Sequence, residues 1–212
     1  PIQYGCQNVS FSANIIDSHA HIGQDIAPSS DTVFSLDYLA QVLRNKFDIY
    51  IKGVKQTDEV VHCFVSSLSS IAAHENGEPI ADEIAGNKDL LKQIEGNARF
   101  KALAVCQPGI GNAENIDTLL RDNEGKIFGL KFHPEFLGKA ADDISYVPYL
   151  KLAEKYNLPC VFHSDKLGSY ADPNAIHEAA KQIPKVPVVL YHMSLAPGCL
   201  IKDLTETDRE KP

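Results

Sequence analysis

Two of the eight histidines in this 212-residue chain, His19 and His21, lie two positions apart after the apolar pair Ile15-Ile16. Alternate side chains of an extended strand point to the same face. The spacing therefore predicts that Asp17, His19 and His21 share one face, with the two imidazoles about 7 Å apart. Neutral imidazole nitrogens are good ligands for zinc and similar cations, so the pair indicates one side of a divalent-metal site. Alone, the His-x-His pattern is a weak signal.

Three further histidines come directly after apolar, strand-like segments: His133, His163 and His192. In parallel α/β folds, ligands bind at the C-terminal ends of the strands, and site residues come from several different strands. Five histidines at that edge favour a shared metal site over separate structural roles. The remaining three are interpreted as structural or surface residues: His62, His74 and His177.

Lys131 shares a strand face with His133, opposite the apolar pair Leu130 and Phe132, if alternation holds. A lysine inside a barrel mouth is costly unless it is paired, modified or used. We therefore expect Lys131 to belong to the site, although it could also be a salt-bridge partner or pack its stem on the core.

The same alternation places His163 on the Val161 side of its strand and His192 on the Leu190 side of the next. Two carboxylates near these histidines are left open at this stage. Asp17 could orient a histidine or cap a turn. Asp165 could contact metal or substrate, or have neither role.

Strand-like segments alternate with amphipathic helical patterns, which is typical of βαβ units and a parallel sheet. Six strands are predicted: Asn14–Asp17, Val60–Val65, Lys101–Cys106, Gly129–Phe132, Pro159–Phe162 and Val186–Tyr191. From His19, just past the first strand, to His192, just past the sixth, the chain runs 173 residues over five units. That is about 35 residues each, which fits βαβ units of about 30 residues or more. We expect an α/β fold of the (β/α)8 TIM-barrel type, with about six βα units in a single domain over residues 1–212.

The formal net charge of −8 argues against a surface for nucleic acid or anionic membranes. No apolar run reaches the roughly 20 residues needed to span a bilayer, and no secretory signal pattern is visible. The chain has an odd number of cysteines, and no two of them have a C-x-x-C spacing. Both features favour reduced thiols and a cytoplasmic protein. The cysteines are Cys6, Cys63, Cys106, Cys160 and Cys199. Whether the chain is a monomer or a homo-oligomer stays open.

Four motifs in this order resemble the amidohydrolase superfamily: Asp-x-His-x-His at 17–21, Gly-x-Lys-x-His-Pro at 129–134, Phe-His at 162–163 and His-Met-Ser at 192–194. The similarity covers about residues 14–194, and the nearest branch is the amidohydrolase-related group of metal-dependent hydrolases and decarboxylases. The resemblance implies a distorted (β/α)8 barrel with one or two divalent metals at its mouth.

By this resemblance, His19, His21 and His163 are metal ligands, and His192 binds a second metal or assists catalysis. Lys131 stands where some members carry a carboxylated lysine that bridges two metals, and where others use a lysine toward substrate. We expect Lys131 and His133 to contact a small-molecule substrate. Zinc is the expected metal, with manganese, iron or cobalt as alternatives.

One family element is not matched. Members carry an aspartate after strand eight, as metal ligand and general base, whereas Asp203 and Asp208 lie in a polar tail and match no motif. We therefore expect a barrel without strands seven and eight, or a degenerate member. The expected function is a metal-dependent hydrolase that uses a metal-activated water on a small amide, ester, lactone or phosphoester. The alternatives are a metal-dependent non-oxidative decarboxylase of an unsaturated or aromatic acid, and a non-catalytic relative.

Overall fold

The computed structural model describes residues 15–24, 32–44, 47–51, 54–71, 74–75, 78–79 and 82–192, with the backbone alone for 47–51, 54–58, 74–75 and 78–79. The strands in this part of the chain are β1 Ile15–Gln24, β2 Val33–Phe34, β3 Phe47–Ile51, β4 Val54–Asp58, β5 Val60–Ser67, β6 His74–Glu75, β7 Glu78–Pro79, β8 Phe100–Cys106, β9 Ile127–Phe132, β10 Cys160–His163 and β11 Val188–Tyr191. The single-domain assignment to 1–212 stays a prediction.

Seven strands form one sheet in the order β11-β10-β9-β8-β5-β1-β2. The first six in that order are paired in parallel, and the two-residue β2 is antiparallel to β1. Each predicted strand corresponds to one of the six parallel strands, which confirms the βα arrangement. Two small antiparallel hairpins, β3–β4 and β6–β7, were not predicted.

Helices connect the parallel strands: α1 Leu36–Leu43, α2 Glu83–Gln93, α3 Ala113–Asp122, α4 Pro134–Leu137, α5 Val147–Tyr156 and α6 Pro173–Lys181. Short 3₁₀ turns cover Leu68–Ser70 and Ile144–Tyr146. Side chains cap the first turns of α1 and α6, since Ser35 Oγ accepts from the Tyr38 N–H at 3.1 Å and the Asp172 carboxylate accepts from the Asn174 N–H at 2.7 Å. Side chains with free acceptors at these positions satisfy amides that the first helical turn leaves unpaired.

The two faces of the sheet bury different side chains. The outer face packs against the helices, with Leu130, Phe132 and Phe162 in the same cluster as Leu150 of α5 and Ile176 of α6. On the inner face, Leu103, Val161 and Tyr191 are buried together, with Phe64 packed against them. Burial on both faces is typical of parallel strands and explains their continuous apolar runs.

The sheet curls so that its first and sixth parallel strands approach each other. The Tyr191 hydroxyl, at the end of β11, donates a hydrogen bond to the backbone carbonyl of Ser18 in β1. Within the described residues, β11 and β1 are not neighbours in the hydrogen-bonded order, so this contact is made by a side chain. It brings the C-terminal ends of β10 and β11 next to β1.

Three of the cysteines, Cys63, Cys106 and Cys160, are free and buried, as predicted. Cys6 and Cys199 lie outside the described residues, as do the tail aspartates. No helix in the described ranges is both long and apolar enough to cross a bilayer. The cytoplasmic location stays a prediction.

Candidate active site

Five histidine rings form a closed circuit at the C-terminal edge of the sheet. Ring centroids are 4.7 Å apart for His19 and His21, 6.0 Å for His21 and His133, 5.8 Å for His133 and His163, 4.5 Å for His163 and His192, and 4.6 Å for His192 and His19. We call this set the histidine circuit. It contains every histidine that the sequence placed at this edge. Of the three histidines excluded from it, His62 and His177 are exposed, and the side chain of His74 lies outside the described residues.

His19 and His21 lie closer together than strand geometry predicts. Strand β1 continues to Gln24, so both residues are within the strand and not past its end. Their Nε2 atoms are 2.9 Å apart. One of these nitrogens must carry a proton and the other a lone pair, because two N–H groups or two lone pairs would repel at that distance. The two rings therefore bring the same atom, Nε2, next to each other.

The prediction that Asp17 shares the face of both histidines is wrong. The pairing of β1 with β5 shifts between Asp17 and Ala20, so that Asp17 aligns with Cys63 whereas His21 aligns with Ser66. Cys63 and Ser66 are three positions apart and point to opposite faces of β5. The Asp17 carboxylate accepts from the backbone N–H of His19 at 3.0 Å and lies 3.7 Å from the Cys63 sulfur. It holds the backbone beside the site.

The alternation on β10 and β9 is confirmed, but it fails on β11. Val161 is buried on the inner face and His163 reaches the circuit from the same side. His192 was expected on the Leu190 side, which is the outer face. Its φ of 67° is in the left-handed region, outside the backbone geometry of a strand. The ring consequently turns back to the His19 and His163 rings.

Lys131 and His133 bring unpaired donors to the site. Lys131 is 0% exposed and His133 is 3% exposed. Within the described part of the chain, Lys131 Nζ and both ring nitrogens of His133 are buried without a hydrogen-bond partner. The Lys131 Nζ lies 4.4 Å from the centroid of the Tyr191 ring, which offsets part of its desolvation through a cation–π contact. Buried polar groups are normally satisfied, so orphaned ones at a strand edge indicate a place for a ligand.

Burial keeps the circuit uncharged at neutral pH. Desolvation, followed by the Lys131 charge, lowers the pKa of His19 to about 3 and that of His21 to about 4. Desolvation also lowers the pKa of His163 to about 4 and that of Lys131 to about 7, and it depresses the pKa of His133 well below its ordinary value. Neutral imidazoles offer lone pairs, which is the state that a metal ligand requires.

The donor set fits a divalent cation in its chemistry. It consists of neutral imidazoles around orphaned buried nitrogens, with two Nε2 atoms already convergent. Among the residues the structure describes, however, no three His, Cys, Asp or Glu side chains are arranged to hold a metal ion. A third ligand such as His163 would have to rotate toward the His19–His21 pair.

Three residues around the circuit were not identified from the sequence: Ser66, Tyr191 and Phe136. The Ser66 Oγ lies 2.9 Å from Nδ1 of His21. The Tyr191 ring centroid is 4.3 Å from that of His19, and the Phe136 ring is 5.8 Å from His133 at the rim. None of the three had a usable sequence signal, since alternation on β11 places Tyr191 on the face opposite the predicted His192.

Asp165 lies two residues after His163 of the circuit. It comes after β10, is 6% exposed, and accepts the Lys166 N–H at 2.7 Å. Its charge opposes the effect of burial on the pKa of His163 and of His192. A contact of Asp165 with metal or substrate stays a prediction.

The family model described as Amidohydrolase matches residues 67–207, which is well over half of the chain. This chain belongs to the amidohydrolase family. The matched range includes Lys131, His133, His163 and His192 and begins after the His19–His21 pair, so the assignment does not depend on the opening motif. Membership in this family indicates a hydrolase-type function.

Two solved structures resemble the amidohydrolase chain. A Staphylococcus aureus protein assigned to the amidohydrolases is 16% identical, with a TM-score of 0.55 over 84% of this chain and 67% of its own. A dihydroorotase from Campylobacter jejuni is 17% identical, with a TM-score of 0.47 over 87% of this chain and 50% of its own. The first supports the fold alone, and the second is too distant to support an argument. Comparison with curated protein sequences gives no match.

Proposed function

We propose that this amidohydrolase is a metal-dependent hydrolase of a small amide, ester, lactone or phosphoester. His19, His21 and His163 would hold the metal, with zinc as the first candidate and manganese, iron or cobalt as alternatives. The closed histidine circuit carries this proposal, because five neutral imidazoles from four parallel strands meet at the edge where such folds bind ligands. When bound, the cation supplies Lewis-acid polarisation and a lowered pKa for the attacking water.

Lys131 and His133 would bind the polar end of the substrate. Their orphaned nitrogens are the buried donors that an anionic or carbonyl oxygen can satisfy. A substrate oxygen placed there would recover part of the free energy lost by burying these groups. Phe136, at 37% exposure, would cover the side of the substrate that lies next to His133 and His163.

His192 would hold a second cation or move a proton. Its ring is exposed and lies next to two proposed ligands, His19 and His163. A ring that reaches solvent can exchange protons with water, which a general acid or base must do after each turnover. The two roles are separated by metal stoichiometry, since a ligand role for His192 requires two equivalents.

Zinc titration of the chelator-treated full chain tests the proposal. We expect one or two equivalents to bind, and His21→Asn to abolish binding of at least one of them. His177→Asn is the matched control, because His177 is exposed on α6 away from the circuit. Failure of zinc, manganese, iron and cobalt to bind the wild-type chain would overturn the metal site.

A substrate panel of lactones, amides, phosphoesters and aromatic acids tests the reaction. Hydrolysis of one class, lost on chelation and restored by metal, is the expected result. Release of CO₂ from an unsaturated or aromatic acid without hydrolysis of the other classes would replace the hydrolase with a decarboxylase. Metal binding without turnover of any class would indicate a non-catalytic member.

A further inference from the structure

We propose that Ser66 is a positioning residue that fixes the His21 imidazole with its proton on Nδ1, so that Nε2 presents a lone pair to the cation. This inference rests on the proposed metal role of His21. Ser66 lies on β5, 45 residues from His21, and no motif in the sequence connects the two. Its side chain is 1% exposed, and its Oγ lies 2.9 Å from His21 Nδ1.

The backbone register makes this contact a property of the fold. His21 and Ser66 are direct partners in the parallel pairing of β1 and β5, so their side chains leave the sheet side by side on the same face. The next pair, Ile22 and Ser67, points to the other face. Of the two adjacent buried serines, only Ser66 is therefore aligned with a histidine of the circuit.

The surroundings of the two ring nitrogens of His21, Nδ1 and Nε2, determine which of them carries the proton. Nε2 faces the His19 Nε2 at 2.9 Å and is the nitrogen directed at the proposed cation. A neutral imidazole carries one proton, so a ligating Nε2 requires the proton on Nδ1. Buried as it is, that N–H needs an acceptor, and the Ser66 Oγ is in place to accept it. Metal-binding histidines generally depend on such a partner for ring orientation and basicity.

Zinc affinity of the chelator-treated full chain tests the role. We expect Ser66→Ala to weaken zinc binding about 10- to 100-fold, the range found for such partners. Ser66→Thr, which keeps the hydroxyl, should restore affinity to within about threefold of wild type. Ser67→Ala is the matched control: it removes the neighbouring buried hydroxyl from the opposite face and should leave zinc affinity unchanged.

A second readout separates positioning from general loosening of the strand. In the zinc-loaded wild type, the His21 Nδ1 proton should exchange slowly with solvent in NMR spectra, and Ser66→Ala should accelerate that exchange while Ser67→Ala should not. If Ser66→Ala binds zinc as tightly as wild type, or if Ser67→Ala weakens binding equally, the positioning role is overturned and the metal site stands. If the wild-type chain binds no metal, both proposals fail.

Discussion

The Tyr191 hydroxyl donates a hydrogen bond to the Ser18 carbonyl, although the two residues are 173 positions apart. The Tyr191 ring lies 4.3 Å from the His19 ring, tilted by 33°, and 4.4 Å from the Lys131 ammonium. A single tyrosine thus holds together the two strands that supply the first and last histidines of the circuit, and it does so without a backbone ladder.

Replacing Tyr191 with phenylalanine should lower the free energy of unfolding by about 1 kcal/mol, because the Ser18 carbonyl loses its donor while the ring contacts remain. Urea denaturation of the metal-free chain measures this change. Tyr170→Phe is the control, since Tyr170 is 49% exposed and should change stability by less than about 0.5 kcal/mol. Equal effects of the two substitutions would contradict a tethering role for Tyr191.

Lys131→Met should stabilise the metal-free protein and impair its activity. Methionine has a similar length and removes a buried ammonium that lacks a hydrogen-bond partner, so we expect a gain of about 1–3 kcal/mol in the free energy of unfolding at pH 7. Turnover of substrates with an anionic group should fall at the same time. Lys101→Met, at a partly exposed lysine over Phe128, is the comparison. Loss of stability on Lys131→Met would show that the lysine is structural.

The metal-free protein should become less stable as the pH falls from 7 to 5. His19, His21 and His163 ionise at about 6.5 in the unfolded chain, whereas their folded pKa values are about 3, 4 and 4. Between these limits the unfolded state binds more protons, which favours unfolding. Lys131, whose pKa falls from 10.5 to about 7, acts in the same direction between pH 7 and pH 10.5.

Chemical denaturation at several pH values checks this dependence. His21→Gln should flatten the slope below pH 6.5, because one of the histidine protons taken up on unfolding is removed. A substitution at the exposed His177, such as His177→Gln, should leave the slope unchanged. Stability that is constant or increases on acidification would contradict the burial of neutral histidines.

Glu83→Gln should destabilise the loop after β8. The buried Glu83 carboxylate accepts the Gln107 N–H at 2.6 Å through Oε1 and the Asn112 N–H at 3.1 Å through Oε2. A glutamine can accept only one of these, and its amide group would oppose the other N–H, so we expect a loss of about 1–3 kcal/mol by urea denaturation. Glu124→Gln, at an exposed position, should lie within about 0.5 kcal/mol of wild type.

The face of the sheet on which a side chain lies was predictable wherever the strand keeps its regular two-residue alternation. The inward side of Lys131 and the side of β10 on which His163 lies result from strand alternation, which depends on neighbouring residues only. The family itself was recognisable at this level, because the motifs that carry it lie in or directly after strands and follow one another in a fixed order along the chain.

Alternation failed where the backbone departs from regular geometry. A register shift in β1 turned Asp17 away from the histidine face, and a left-handed φ at His192 turned its ring inward. Neither departure has a local sequence signal. The register shift depends on how β1 pairs with β5, and the turn at His192 brings its ring to rings on distant strands. The sequence by itself thus determined which residue types reach this edge of the sheet. Only the tertiary structure decided that Ser66 meets His21 and that Tyr191 meets Ser18, because each contact joins residues tens of positions apart through pairing and curvature of the whole sheet.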